Sequence, residues 1–221
     1  MFRDSLKGID RLLDTEIPEG SIILVTGAEG TLKSGLAFSL LASELKDGGH
    51  GLYATLEQTK ESHLSNMLSL GVKRHEGLHI FDYQDMRLEW RDREPDMLKT
   101  TEEVLDYYSE KHGSLSLFAL DSMNALYTLS DETTNLRREM YYFFDHLRDM
   151  GLTSLLIMED SSRRGPEHFL ADGVIELGLV EGADGVKRYI RIRKMRATKH
   201  RMERHQMVVD RDGISILGPI Y

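Results

Sequence analysis

Short apolar runs alternate with amphipathic stretches through the first two thirds of the chain. Residues 21–26 are apolar and β-branched, as in a buried strand, and apolar residues then recur at helical spacing from Leu36 to Leu45. The alternation predicts further strands at 51–56, 78–81, 115–120 and 154–158, and helices at 61–70, 97–112 and 136–150. Strands that alternate with helices indicate a mostly parallel sheet with helices on both faces.

The last third of the chain has a different pattern. Strand-like segments at 173–179, 186–194, 206–210 and 214–217 are separated by turn signals at 182–185 and at Asp212-Gly213. Because tight turns join antiparallel strands, we expect an antiparallel extension of the same sheet. The predicted fold class is therefore α/β in a single domain over residues 1–221. A polar stretch at 84–96 is predicted to be a loop.

Composition narrows the class of protein. A chain of 221 residues with 40% hydrophobic and 29% charged residues has the size and balance of a soluble globular domain. No run reaches the ~18 apolar residues of a membrane span, and the N-terminal segment lacks the apolar core of a signal peptide. The absence of cysteine excludes disulfides, zinc–thiolate sites and cysteine nucleophiles. We expect a cytoplasmic protein that does not contact membranes.

Charge is unevenly distributed. The formal net charge is −9, but residues 187–204, called here the basic strip, carry nine Lys and Arg against one acid, Glu203. The strip therefore has a charge of +8, and −17 remains for the rest of the chain. A globally acidic chain is a poor general binder of nucleic acid, so the strip needs a local anionic partner.

The segment between the first predicted strand and helix is the main candidate for chemistry. Residues 27–34 read GAEGTLKS, and a loop in this position can cradle phosphate oxygens with successive backbone N–H groups at the helix N-terminus. Lys33 would contact the β- and γ-phosphates, and the Ser34 hydroxyl would contact magnesium. The candidate phosphate-binding residues are Gly27, Ala28, Glu29, Gly30, Thr31, Leu32, Lys33 and Ser34.

The loop departs from the usual G-x-x-x-x-G-K-[ST] pattern because Leu32 occupies the second glycine position. The leucine side chain would either crowd the phosphates or point away from them. A plain strand-to-helix turn with an N-terminal lysine is the competing interpretation.

Acidic residues follow three of the predicted strands. Asp121 ends the strand at 115–120, where a carboxylate can hold magnesium, and Glu57 follows the strand at 51–56, where it can activate a water molecule. Glu159 and Asp160 follow the strand at 154–158, but two acids also repel a triphosphate. Each of these residues is equally ordinary as a strand-end or turn residue.

Taken together, these segments resemble the KaiC-like ATPases of the RecA superfamily. The resemblance begins with G-I-D-R-L-L at 8–13 and I-P-E-G-S at 17–21, and continues with L-E-Q-T at 56–59 and L-D-S at 120–122. F-L-A-D-G-V-I at 169–175 and K-M-R-A-T-K-H at 194–200 are similar to two further family motifs. The match runs from about residue 6 to 217 with its motifs in order.

The resemblance implies a RecA-like core that binds ATP or ADP with Mg²⁺. It implies that Glu57 activates water, that Ser34 and Asp121 hold the metal, and that Lys194, Arg196 and His200 reach the γ-phosphate of a neighbouring subunit. The implied assembly is a homo-oligomer, with a hexameric ring as the expected form. Three positions depart from the family pattern, Leu32, Gln58 and Ala197, and Gln58 in particular suggests slow hydrolysis. The family's clock kinase has two such domains, so clock function does not transfer.

The basic strip has three competing interpretations. It can be a solvated edge strand whose charges block aggregation, a group that stabilises charge on a neighbour's phosphate, or a nucleic-acid contact. The resemblance favours the second, and the acidic remainder argues against the third.

The leading hypothesis is an ATP-binding, slowly hydrolysing ATPase that acts as a regulatory homo-oligomer, whose assembly or protein-partner binding follows the nucleotide state. The alternatives are a non-catalytic nucleotide-binding scaffold and an accessory recombination protein that binds single-stranded DNA.

Overall fold

The computed structural model describes residues 1–45, 48–83, 96–129, 136–159, 165–182 and 185–220. Most of the predicted polar loop at 84–96 lies outside these residues, as does Asp160. Within the described ranges, none of the helices is both long and apolar enough to cross a membrane.

One sheet of nine strands organises the molecule, in the order β3-β2-β4-β5-β1-β6-β7-β8-β9. The strands from β3 to β6 in this order are parallel. The parallel strands are β1 (Ile22–Gly27), β2 (Gly51–Thr55), β3 (Leu78–Asp82), β4 (Leu117–Asp121), β5 (Thr153–Glu159) and β6 (Gly173–Gly182). The predicted mostly parallel α/β sheet is confirmed, with strand ends that differ from the prediction by at most three residues.

The C-terminal strands continue this sheet in antiparallel fashion, as predicted. β7 (Gly185–Met195) pairs with β6, β8 (His205–Asp210) with β7, and β9 (Gly213–Pro219) with β8. The pairing of Gly182 with Gly185 closes the predicted hairpin. β7 therefore lies inside the sheet between β6 and β8, which makes the edge-strand interpretation of the basic strip wrong.

Helices connect the parallel strands. They are α1 (Lys33–Glu44), α2 (Lys60–Ser69), α3 (Met97–His112), α4 (Met123–Leu129), α5 (Leu136–Asp149) and α6 (Glu167–Leu170). The Thr59 hydroxyl accepts from Ser62 N–H at the start of α2, and the Asp96 carboxylate accepts from Lys99 N–H at the start of α3. These caps satisfy N–H groups that have no partner within the helix.

Two apolar cores lie on opposite faces of the sheet. Ile23 and Val25 of β1 belong to the core beneath α1, whereas Ile22 and Leu24 belong to the core beneath α3 and α5. This alternation of side chains buries β1 on both faces, as expected for a central parallel strand. The central strands thus hold their C-terminal residues in fixed positions at one edge of the sheet.

Candidate functional site

The carboxyl ends of the central parallel strands meet at one edge of the sheet. β1, β4 and β5 end at Gly27, Asp121 and Glu159, and β2 ends at Thr55, two residues before Glu57. In the sheet, Thr55 is level with Asp121, and Gly27 is level with Glu159. In open parallel sheets this edge is where ligands bind.

Close backbone packing shapes the loop that follows β1. A Cβ atom on Gly27 would lie 2.4 Å from the carbonyl oxygen of Leu177 in β6, so only glycine fits there. Gly30 has a φ of 75°, in the left-handed region that glycine adopts without strain. Thr31 is buried, and its hydroxyl donates 2.7 Å to the carbonyl of Ala28, which closes the loop on itself.

Leu32 adopts the backbone conformation that the usual glycine provides. Its φ of 72° and ψ of 33° are left-handed, which costs a residue with a Cβ about 1–2 kcal/mol. The side chain is half-buried and packs against the core beneath α1. Of the two predicted orientations, the structure has the one in which the leucine points into the protein and leaves the loop interior open.

The loop presents hydrogen-bond donors to an anion. α1 begins at Lys33, so the N–H groups of its first turn have no partner within the helix. In the described part of the chain, the N–H groups of residues 30–34 meet no protein acceptor. The Lys33 ammonium donates 3.0 Å to the carbonyl of Ala28 and lies beside these groups. The arrangement fits the phosphates of a nucleotide.

Asp121 supplies a buried carboxylate at this edge. Its side chain is 5% exposed, and Oδ2 accepts a hydrogen bond of 2.6 Å from the Tyr53 hydroxyl. Burial raises the pKa of Asp121, while hydrogen bonds from Tyr53 and Ser34 and the charge of Lys33 act in the opposite direction. A carboxylate beside a serine hydroxyl is the oxygen donor set that Mg²⁺ prefers.

Glu57 is exposed next to this carboxylate. The Ser122 hydroxyl donates a hydrogen bond to Glu57 Oε1, and Leu56 N–H donates 2.7 Å to the Asp121 carbonyl. These contacts hold the segment after β2 against the end of β4. Glu57 therefore has the position and the exposure of a group that can take a proton from water.

The residue after Glu57 is turned toward α2. Gln58 N–H donates 3.2 Å to the Thr55 hydroxyl, and Gln58 Oε1 accepts 2.9 Å from Asn66 Nδ2. Glu159 lies at the same edge and is exposed, with its N–H bonded at 2.7 Å to Asn124 Oδ1.

Lys194, Arg196 and His200 lie away from residues 27–34 of their own chain, called here the phosphate loop. The Lys194 ammonium donates to the carbonyls of His168 and Ala171, and Arg196 pairs with Asp172 at 3.0 Å. Burial and the charge of Arg196 lower the pKa of Lys194.

The register of β6 against β1 gives the distance between Arg196 and the phosphate loop. Asp172 precedes β6, and Leu177 of β6 is level with Gly27. At 3.3 Å per residue, this stretch of β6 places Arg196 roughly 16 Å from the loop end of the strand. Lys194 and Arg196 thus lie at the opposite edge of the sheet. His200 follows them and forms a bridge with Leu13 near the N-terminus.

Other cations of the basic strip serve the fold. Arg191 and Arg193 both pair at 2.9 Å with Glu176 of β6, and Tyr189 donates to the same carboxylate at 2.8 Å. Burial would raise the pKa of Glu176, but hydrogen bonds from Arg191, Tyr189 and Arg193 outweigh it and lower the pKa. The expectation that the whole strip serves a neighbour's phosphate is therefore too broad.

Three side chains to which the sequence analysis assigned no role contribute to the site. Tyr53 and Ser122 hold the two acids, and Arg188 of the basic strip donates 3.2 Å to the carbonyl of Gly30 in the phosphate loop. Tyr53 does leave a signal in the sequence, because a tyrosine within a buried strand needs a partner for its hydroxyl.

Known proteins share this architecture. The model of the KaiC ATPase family matches residues 3–220. The circadian clock oscillator protein KaiC of Picosynechococcus is 27% identical, over 97% of this chain and 44% of its own length. A UPF0273 protein of Aeropyrum pernix is 29% identical, over 97% of this chain and 92% of its own. The crystal structure of the KaiC-like protein PH0186 from Pyrococcus horikoshii OT3 has a TM-score of 0.81 and 26% identity, with 96% of each chain covered. The chain spans less than half the length of the clock proteins that it matches.

Proposed function

The chain belongs to the KaiC family of ATPases, and from that premise we propose that it binds ATP with Mg²⁺ and hydrolyses it slowly as one subunit of a homo-oligomer. The role that we propose for the assembly is regulatory: its formation, or its binding of a protein partner, follows whether ATP or ADP is bound. The hexameric ring remains the favoured arrangement.

The observation that carries the proposal is the convergence of three groups at one edge of the sheet. The N–H groups of the loop at 27–34, the buried carboxylate of Asp121 and the exposed carboxylate of Glu57 come from three different strand ends. A plain strand-to-helix turn needs neither acid. Their joint position supports nucleotide binding with hydrolysis better than any one of them does.

Each residue has a role that its contacts support. The loop N–H groups and Lys33 bind the phosphates and orient them. Ser34 and Asp121 hold the metal, which when bound neutralises charge on the phosphates. Tyr53 keeps the Asp121 carboxylate in one orientation through its hydrogen bond of 2.6 Å. Glu57 accepts a proton from the attacking water, and Ser122 orients Glu57 for that transfer.

Slow turnover follows from Gln58. Its amide oxygen is engaged by Asn66, so the position next to the base offers no second carboxylate to the attacking water. The same observation supports the alternative, a scaffold that binds nucleotide without hydrolysing it. The slow ATPase and the scaffold differ in the rate of ATP hydrolysis and not in the affinity for ATP.

The position of Lys194 and Arg196 supports action between subunits. They lie toward the sheet edge opposite their own phosphate loop, and strand rise separates them from it by roughly 10 Å for Lys194 and roughly 16 Å for Arg196. An arginine side chain cannot bridge roughly 16 Å, so a role for Arg196 at a phosphate requires a nucleotide held by another copy of the chain. A head-to-tail contact of this kind closes into a ring when its rotation permits.

ATP binding and hydrolysis by the full chain test the proposal. Glu57→Gln should lower the rate of hydrolysis by about a hundredfold or more and leave ATP affinity unchanged. Lys33→Ala should weaken ATP binding itself. Glu61→Gln, the same change at an exposed position on α2, is the matched control and should behave like the parent.

The outcomes separate the hypotheses. Hydrolysis that is equally fast in Glu57→Gln would remove Glu57 as the base. ATP affinity that survives Lys33→Ala would contradict the phosphate site altogether. A parent chain that binds ATP but shows no turnover would establish the scaffold.

A further inference from the structure

Three histidines from separate elements meet at the amino-terminal end of the strand pair β2 and β3, opposite the end of the sheet that carries the phosphate loop. His50 precedes β2, His79 lies in β3, and His112 is the last residue of α3. One ring nitrogen from each lies within 4.8 Å of the other two. Among the described residues, this is the one group of three metal-ligating side chains so close together. We propose that this histidine cluster binds a divalent late transition metal, with Zn²⁺ as the expected ion.

The spacing of the nitrogens supports coordination. His50 Nδ1 and His79 Nε2 are 3.2 Å apart. Two nitrogens that bind one tetrahedral zinc at about 2.0–2.1 Å are separated by roughly 3.3 Å, so the distance within this pair already matches that of two zinc ligands. The rings of His79 and His112 stack with centroids 3.8 Å apart, and a ring nitrogen of His112 lies within 4.8 Å of those of the pair.

The backbone around the cluster is fixed. β2 and β3 pair in register, with Leu52 level with His79. The carbonyl of His50 accepts from Ser116 N–H at 2.9 Å, and Gly51 N–H donates 3.0 Å to the Gly77 carbonyl. All three histidines are half-buried. The ligands are therefore preorganised on a strand pair and a helix end, which is what a specific metal site requires.

Aromatic packing with one N–H···N hydrogen bond between His50 and His79 is the competing explanation, and this bond itself leaves a lone pair that a metal can use. His50 Nδ1 and His79 Nε2 face each other, and only one proton can lie between them, so at least one ring is neutral there with a lone pair toward its neighbour. A set of imidazoles without carboxylates selects Zn²⁺, Co²⁺, Ni²⁺ or Cu²⁺ over Mg²⁺ and Ca²⁺. The chemistry thus differs from that of the oxygen-lined site at Asp121.

Two positively charged neighbours set the affinity that we expect for the metal. Arg74 and Lys111 lie close enough to act electrostatically on His79. Their positive charges oppose a bound cation, so we expect binding at micromolar metal concentrations and not below. With a water molecule as fourth ligand, the metal would join the edge strand β3 to the end of α3.

Zinc titration of the full, tag-free chain tests the proposal. After removal of metal and in the absence of nucleotide, the parent should bind one equivalent of Zn²⁺ in competition with a chromophoric chelator. His79→Gln and His112→Gln should each weaken binding at least about tenfold. His146→Gln on α5 is the control and should bind like the parent. A parent that takes up no zinc at micromolar concentrations overturns the proposal.

Two further measurements cover alternative outcomes. Cobalt absorption of the parent needs no variant: intense visible bands of four-coordinate Co²⁺ support the site, and the weak spectrum of a six-coordinate ion contradicts it. Asp121→Asn identifies metal at the phosphate edge. If Asp121→Asn no longer binds zinc and His79→Gln still does, the histidine cluster is not the site.

Discussion

The Tyr53 hydroxyl, buried within β2, donates a hydrogen bond of 2.6 Å to Oδ2 of Asp121 at the end of the neighbouring strand β4. Burial and the charge of Asp121 keep the pKa of Tyr53 well above its usual value, so the phenol remains a donor at all physiological pH values. The bond therefore holds the metal-binding carboxylate that we propose in one orientation and favours its ionised form.

Tyr53→Phe should cost about 1–3 kcal/mol of unfolding free energy, because it leaves a buried carboxylate without one of its donors. It should also raise the pKa of Asp121 further and weaken binding of ATP in the presence of Mg²⁺. Denaturant unfolding and calorimetric titration measure the two effects. Tyr141→Phe, at a hydroxyl that is exposed on α5, is the control. An unchanged ATP affinity in Tyr53→Phe would show that this bond matters for folding alone.

Leu32→Gly should change ATP affinity less than about threefold, because the leucine already has the left-handed backbone of a glycine and its side chain packs on the core. Relief of backbone strain and loss of packing should leave the unfolding free energy nearly unchanged. Leu32→Ala keeps the strain and loses the packing, so it should be less stable than the parent by about 1 kcal/mol. A tenfold gain in affinity for Leu32→Gly would mean that leucine obstructs the phosphates.

The sequence predicted those features that depend on neighbouring residues. The apolar run before Gly27 predicts a strand, and the helical spacing that begins at Leu36 predicts a helix. The glycines at 182 and 185 predict a hairpin. Each signal acts within a few residues, and the structure contains all three elements. α1 starts one turn earlier than its first apolar residue because Lys33 and Ser34 face the loop. The short helices α4 and α6 were not predicted, since they are too brief to show a period.

Features that depend on distant pairs were not predictable in the same way. The charge of the basic strip was visible in the sequence, but Arg191 and Arg193 pair with Glu176 only because β7 folds back on β6. His50 and His79 are far apart in the chain and come together through the pairing of β2 with β3. A search for histidines at short spacing therefore does not bring this pair together.

His63 should make the protein less stable in acid. The side chain is buried between Phe38 and Tyr53, and in the described part of the chain neither ring nitrogen has a hydrogen-bond partner. Burial lowers the pKa of His63 from 6.5 to about 4, so the unfolded chain takes up a proton before the folded one does. Stability from this residue is complete above pH 6.5 and is lost progressively as the pH falls toward 4.

His63→Leu should remove that dependence. Relative to the parent, the variant should gain about 2 kcal/mol of unfolding free energy between pH 7.5 and pH 5, whatever its stability at pH 7.5. Urea unfolding at the two pH values measures the difference, and each variant serves as its own reference. If the parent and the variant lose the same unfolding free energy between the two pH values, the buried imidazole does not titrate in this range.

Arg196 should act on a neighbouring subunit, and mixed oligomers can show it. Arg196 pairs with Asp172 of its own chain, at the sheet edge opposite the phosphate loop. Arg196→Ala and Lys33→Ala should each abolish hydrolysis when they are present alone, the first by loss of the cation and the second by loss of the phosphate site. In a mixture, a subunit with Lys33 can lie next to one with Arg196, and that interface has every group that we assign to the site.

Random mixing in equal amounts should restore activity at about a quarter of the interfaces, because a head-to-tail contact uses one surface from each subunit. The rate should depend on the mixing ratio and fall to zero at both extremes. Arg211→Ala, which removes a cation from the turn between β8 and β9, replaces Arg196→Ala in the control. This control mixture should lose activity in proportion to its Lys33→Ala content. If no ratio of Arg196→Ala to Lys33→Ala restores hydrolysis although mixed oligomers form, Arg196 does not act between subunits.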